Sequence, residues 1–305
     1  MPELPDVVLY VESLERLLQG ATLRDVRVRS PFVLRTFSPM IESAIGKRVE
    51  HFSRRGKRIV WEFSDGPLLL IHPMIAGRFH WKKIGYAARG KNDLIAFDFD
   101  SDTRSGHVKE SGTMVLTEAS KKKRAGVWVL NTIEEVNAYD PGGLDLLTAT
   151  LEEFTARLHD GRHTLKRALS DPHKFDGIGN AYGDEILHAA KLSPLKRTDQ
   201  LSSEEIERLF HAARETMTEW IARLREQTGD QFPERVTAFR PEMHVHGKFK
   251  ESCPICDAPI QRIRYSDNEC NYCPGCQTGG RILSDRSLAR LLKDDWPKTL
   301  DELES

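Results

Sequence analysis

The chain has 305 residues, enough for two domains with a small appendage and for a sizeable buried core. Apolar content of 39% beside 30% charged excludes wholesale disorder, and the longest apolar stretches, such as LLLI at 68–71, fall far short of a membrane-spanning helix. With 45 Lys+Arg against 46 Asp+Glu, any polyanion-binding role must come from local charge.

The chain opens MPELPD. Removal of Met1 would leave the Pro2 nitrogen a free secondary amine with the Glu3 carboxyl beside it. These residues alone are better explained as an accident of chain initiation. Leu4, Val8, Val11, Leu14, Leu17 and Leu18 recur at helical spacing and Gly20 follows, which predicts a helix over 4–19. From about 22 to 132 the runs LRDVRV, RIVWEF, PLLLIH, LIAFDF, GTMVLT and GVWVLN alternate with turn-forming clusters, which predicts an antiparallel sandwich or barrel. HFSRRGKRIVWEF (51–63) concentrates Arg54, Arg55, Lys57 and Arg58. That stretch reads either as a solvated edge strand or as a phosphate-binding stripe. SKKKR (120–124) reads as a solvated loop, and DPGG (140–143) as a hinge.

Residues 150–227 have helical texture. Within them, DPHKFDGIGNAYGDEILHAAKLSP (171–194) carries Gly177 and Gly179 in a tight turn, with Asn180 where a helix should start. Such a turn aims amide hydrogens at an anion, here a nucleic-acid phosphate. A plain corner between helices fits equally well. Further on, Cys253-x2-Cys256 and Cys273-x2-Cys276 stand 16 residues apart, the spacing of a zinc ribbon. Four thiolates close the coordination sphere, so one structural Zn²⁺ is expected, with Cys270 a bystander. Paired CxxC spacing without a disulfide framework, and no signal-peptide pattern, point to the cytoplasm. The expected segmentation is 1–135 sandwich, 136–148 hinge, 149–235 helical domain, 236–290 four-cysteine finger and 291–305 tail.

In order along the chain, PELPD, RRGK (54–57), IHPMIAGR (71–78), DGIGNAYGDEIL (176–187) and the ribbon ending CPGCQ (273–277) resemble the bacterial formamidopyrimidine-DNA glycosylase and endonuclease VIII family. The resemblance covers essentially the whole chain. It implies an α+β multidomain fold: an N-terminal antiparallel β-sandwich with a leading helix, a helical helix–two-turn–helix domain, and a C-terminal zinc-ribbon finger, with DNA between domains. It implies a bifunctional glycosylase and abasic-site lyase of base excision repair, acting on a flipped-out oxidised base. Pro2 becomes the nucleophile, Glu3 a proton shuttle, and Lys57 a catalytic phosphate contact. Asn180, Gly179, Arg55, Ile75, Lys123 and Arg124 become DNA contacts, and the protein a bacterial, nucleoid-associated monomer bound to damaged double-stranded DNA. Asp6 stands where the family often has Glu.

Three departures from the family pattern bear on substrate choice. Asn268 stands where the family's zinc hairpin usually carries Arg, leaving Arg262, Arg264 or Arg281 to replace that contact. Ile75 takes the place of Met in the HLGMSG segment. Lys123 and Ala125 fall on the Arg and Phe of an RRFG-like loop, and Ala cannot wedge a duplex as Phe can. An endonuclease VIII-like enzyme for oxidised pyrimidines, a non-catalytic binder of damaged DNA, and a structural zinc-ribbon protein are the competing readings.

Overall fold

A computed structural model describes residues 1–100, 110–265, 268–284 and 297–304. The chain divides into two compact units: residues 1–141 with 221–237, and residues 142–220 with 238–305.

The first unit is a β-sandwich behind a leading helix. Helix α1 (Leu4–Leu18) buries Val7, Tyr10, Leu14 and Leu18 in the main core. Val8, Val11 and Leu17 of the expected stripe lie at its margin, because Tyr10 and Ser13 take part of the inward face. Strands β1 (Thr22–Val28), β6 (Asp93–Asp100), β7 (Gly112–Glu118) and β5 (Gly77–Lys83) form one antiparallel sheet, in that order. Strands β2 (Val49–Arg55), β3 (Arg58–Phe63), β4 (Leu68–His72) and β8 (Gly126–Leu130) form the other.

Alternation along the strands explains the layers. Ile59, Trp61 and Phe63 point into the core shared with Phe97 and Phe99 of the facing sheet. Val60 and Leu70 point the other way, where Val136 of α2 (Ile133–Asn137) and its neighbours cover them. Burial on both faces is why β4 reads as a continuous apolar run rather than an alternating one.

The second unit contains α3 (Leu151–His159), α4 (Leu165–Ser170), α5 (Asn180–Ala189) and most of α6 (Ser203–Thr228). Reciprocal capping boxes start two of these helices. Glu153 N–H donates to Thr150 Oγ1 while Thr150 N–H donates to Glu153, and Ser202 and Glu205 repeat the pair. The C-terminal part is a hairpin, β9 (Gln261–Arg264) against β10 (Glu269–Tyr272), followed by the short helix α7 (Pro274–Thr278). Among the described residues, no helix is long and apolar enough to cross a membrane.

Candidate functional site

The start of α1 gathers the first group. Pro2 is buried and Glu3 is 3% exposed. Glu3 is the N-cap residue, and its N–H donates to Asp6 Oδ2 at 3.0 Å, so the shorter Asp6 serves as the helix-start acceptor. The amino group here belongs to Met1. Burial lowers its pKa, Glu3 and Asp6 act to raise it, and Arg78 and Lys57 act to lower it. Those four side chains therefore surround the chain start.

Lys57 reaches this place through a two-residue hairpin turn, Gly56-Lys57, between paired Arg55 and Arg58. Gly56 has φ 62, the positive value that the first position of a type II′ turn demands. Lys57 is 8% exposed. Arg55 turns elsewhere: its Nε donates to Asn137 Oδ1 of α2 at 2.9 Å.

Sequence reasoning overlooked His72 and Arg78, although both lie inside a quoted motif. His72 Nδ1 accepts the Met74 N–H at 2.9 Å, which leaves the ring proton on Nε2. Burial first, then the charges of Arg58, Lys57 and the terminal amine, push its pKa down to about 3, so the ring is neutral. Arg78 Nε donates to Val236 O. Between them, Met74 adopts φ 57, the left-handed conformation that explains a Gly at this place in HLGMSG. Ile75, next along, is 60% exposed.

The 120–125 loop is more ordered than its lysines suggest. Glu118 is buried, and its carboxylate accepts the N–H groups of Arg124 and Ala125 at 2.7 and 2.9 Å. Lys123 Nζ donates to Glu118 O, and Arg124 is exposed. Ala125 is 2% exposed and belongs to the sandwich core, so it projects nothing outward.

In the second unit, Gly177 turns the chain with φ 74 and Gly179 caps α5. Asn180 spends one amide hydrogen on Glu269 O of the hairpin, at 2.8 Å. Beneath it Lys166 donates to Asn180 O and to Asp184 Oδ1. Asp184 is wholly buried and also takes His246 Nδ1 at 2.8 Å and Asn271 N–H at 3.0 Å. Burial opposes this charge, and Lys166 and His246 outweigh it, holding the Asp184 carboxyl below the usual range. The Glu185 carboxylate accepts the N–H groups of His244, Val245 and His246. The DE of the glycine-turn motif thus anchors the hairpin and the 244–247 segment to α5.

The four ribbon cysteines converge. Cys253 and Cys276 sulfurs lie 3.8 Å apart, Cys256 and Cys273 3.3 Å, and Cys256 and Cys276 3.5 Å. His188 of α5, not foreseen from spacing, puts Nε2 3.4 Å from Cys253 Sγ. His188, Cys253, Cys273 and Cys276 each bring one donor atom within 4.8 Å of the others, a cluster able to hold a metal ion. A Cβ on Gly275 would come within 2.8 Å of Cys256 Sγ, which is why CPGC carries Gly between its cysteines. Cys270 points away, buried with Ile263, Tyr272 and Leu283.

Fold and site together define a β-sandwich protein with a buried, charge-ringed chain start, joined to a helical domain and a cysteine ribbon. Two family profiles match the chain: the formamidopyrimidine-DNA glycosylase N-terminal domain over residues 1–162 and the formamidopyrimidine-DNA glycosylase H2TH domain over residues 143–231. A formamidopyrimidine-DNA glycosylase of Desulforamulus reducens is 30% identical, covering 91% of this chain and 99% of its own. The Listeria monocytogenes protein of that name is 29% identical, covering 91% and 100%. The structure of a Lactococcus lactis Fpg mutant with Fapy-dG-containing DNA superposes with TM-score 0.78 at 25% identity, covering 91% of this chain and 100% of that one. The chain belongs to the formamidopyrimidine-DNA glycosylase family.

Proposed function

We propose that this chain is a bifunctional DNA glycosylase and abasic-site lyase that excises oxidised bases of the formamidopyrimidine and 8-oxoguanine type from double-stranded DNA. The observation that carries this reading is the chain start itself: an amine made less basic by burial, with Glu3, Asp6, Lys57 and Arg78 around it. Once Met1 is removed, the nucleophile is the Pro2 nitrogen, and the same surroundings favour its unprotonated form. It attacks C1′ of the flipped nucleotide, the glycosidic bond breaks, and the base departs with a proton that Glu3 is placed to supply. The attached nitrogen sheds its proton to Glu3, the C1′–O4′ bond opens, and O4′ takes that proton as its hydroxyl forms. The resulting iminium acidifies C2′, and loss of a C2′ proton expels the 3′ phosphate; a further elimination expels the 5′ phosphate. Lys57 and the neutral His72, with its Nε2–H, are the donors for phosphate oxygens beside the lesion, and Asn180 with Gly179 is the donor in the second unit.

The cysteine cluster suits one structural Zn²⁺ held by Cys253, Cys256, Cys273 and Cys276. Zinc–sulfur bonds of about 2.3 Å set tetrahedral sulfurs roughly 3.8 Å apart, close to the spacings of the cluster. Burial pushes the Cys276 thiol up to about 12, and a cation held there would draw off that proton as it binds. His188 then donates toward the Cys253 sulfur. Four sulfurs leave no open position, so the ion holds the hairpin and takes no part in the chemistry. Work of this kind puts the protein on the bacterial nucleoid.

Borohydride trapping tests the reading. Wild type mixed with an abasic-site duplex should give a covalent adduct and Pro2→Gly none. Protein that has lost Met1, binds the duplex and forms no adduct would refute amine catalysis. Duplexes carrying formamidopyrimidine, 8-oxoguanine and an oxidised pyrimidine then rank the substrates.

A further inference from the structure

We propose that a pocket of about 700 Å³ in the second unit is a phosphate site for the bound strand, in which Arg162, Arg167 and Arg197 supply the charge that Asn268 lacks. The proposal rests on the DNA-binding reading above. Arg162, Lys166, Arg167 and Arg197 line the pocket together with Asn180 and Asn268.

The charge balance favours an anion. Asp184 lies 2.6 Å from Lys166 Nζ and matches that charge internally. Asp199 is shared, 2.9 Å from Arg197 and 3.5 Å from Arg162. Four cations against two carboxylates leave two positive charges in excess. The Arg167 side chain makes no hydrogen bond or ion pair with another described residue. It stands on the exposed side of α4, whose Leu165, Ala168 and Leu169 are buried. A guanidinium held this way offers a fork of donors suited to phosphate oxygens.

The arginines nearer in sequence to Asn268 are less available. Arg262 lies over the Phe249 ring at 4.2 Å and pairs with Glu269 at 3.3 Å. Neither Arg264 nor Arg281 lines the pocket. The phosphate-binding charge has therefore moved from the hairpin to the α4 side of the same cavity. Inorganic phosphate is the other source of the same chemistry.

The test is duplex binding by the full chain, using an abasic-site analogue over a range of salt, for wild type, Arg162→Ala/Arg167→Ala, and that double variant with Asn268→Arg. The double variant should bind about tenfold or more weakly, and its log–log salt slope should fall by about 0.9 for each phosphate it no longer neutralises. Adding Asn268→Arg should restore the neutralisation of about one phosphate. Thermal melts should be unchanged, because both arginines are exposed; a variant that melts early is replaced by the Gln pair. An unchanged slope overturns the proposal. Inorganic phosphate that binds while leaving duplex affinity no lower than chloride does at matched ionic strength would mark a free-phosphate site and overturns it too. Adduct formation at saturating protein should persist in every variant. A borohydride adduct with an unchanged slope sinks this inference alone, whereas wild type that neither binds nor traps sinks the functional reading with it.

Discussion

Residues at the chain start act on one proton. Lys57 lowers the basicity of the terminal amine and Glu3 raises it. Removing Lys57 therefore raises the amine pKa, and the rising limb of lyase rate against pH should move to higher pH in Lys57→Met. Removing the Glu3 charge works the other way, and Glu3→Gln should shift that limb to lower pH. Single-turnover rates on abasic DNA read both shifts; limbs that stay in place would mean the amine is tuned by burial alone. Pro2, Glu3 and Lys57 came to attention only through the family resemblance, since MPELPD alone reads as an accident of initiation and RRGK as a solvated edge. His72 and Arg78 did not come to attention at all. A histidine between an apolar strand and a turn carries no local sign that tertiary neighbours will strip its proton. Ala125 was legible as a missing wedge, but its place in the sandwich core follows only from the Glu118 carboxylate pulling the loop inward.

At the level of elements, α5 carries the linkage from glycine turn to ribbon. Asp184→Asn removes the carboxylate 2.6 Å from the buried Lys166 ammonium, and breaking a buried pair in this way costs about 3–5 kcal/mol in comparable cases. Denaturant melts should show a loss of that order. The wild-type contribution is complete above the unfolded carboxylate value of about 3.9 and fades as pH falls through the lower folded value, so the variant should lose less stability on acidification. Equal acid sensitivity in the two proteins would rule out this account. Six strand runs and α1 were readable because their periodicity is local; the capping pairs Thr150–Glu153 and Ser202–Glu205 are as local and went unread. The β5 strand escaped notice, and β2 entered only within one of two readings of HFSRRGK: VEHFSRR and GRFHWKK carry too many charges to stand out as strands, and pairing with β3 and β7 makes them so.

Over the whole molecule, the metal is expected to hold the ribbon while leaving the sandwich chemistry intact. Chelation combined with thiol modification should abolish duplex affinity, measured by anisotropy, and release zinc in proportion to protein. Full affinity in metal-free protein would contradict the structural role. The spacing of four cysteines announced this site, whereas His188 did not announce itself, since it comes from a helix distant in sequence. Nor does anything local mark residue 221 as belonging with the first unit, because the division falls inside α6.

That division has a consequence for the order in which the protein is made. Residues 221–237 complete the first unit: Arg225 pairs with Glu12 at 2.5 Å, Arg16 donates to Gln231 O, and Phe232 lies against Tyr10. Residues 221–237 leave the ribosome only after most of the polypeptide has been made, so α1 waits through the synthesis of the sandwich and of nearly all the helical segment for these partners. The first unit is therefore finished late, and its opening helix is closed over by one of the last parts of the fold to arrive.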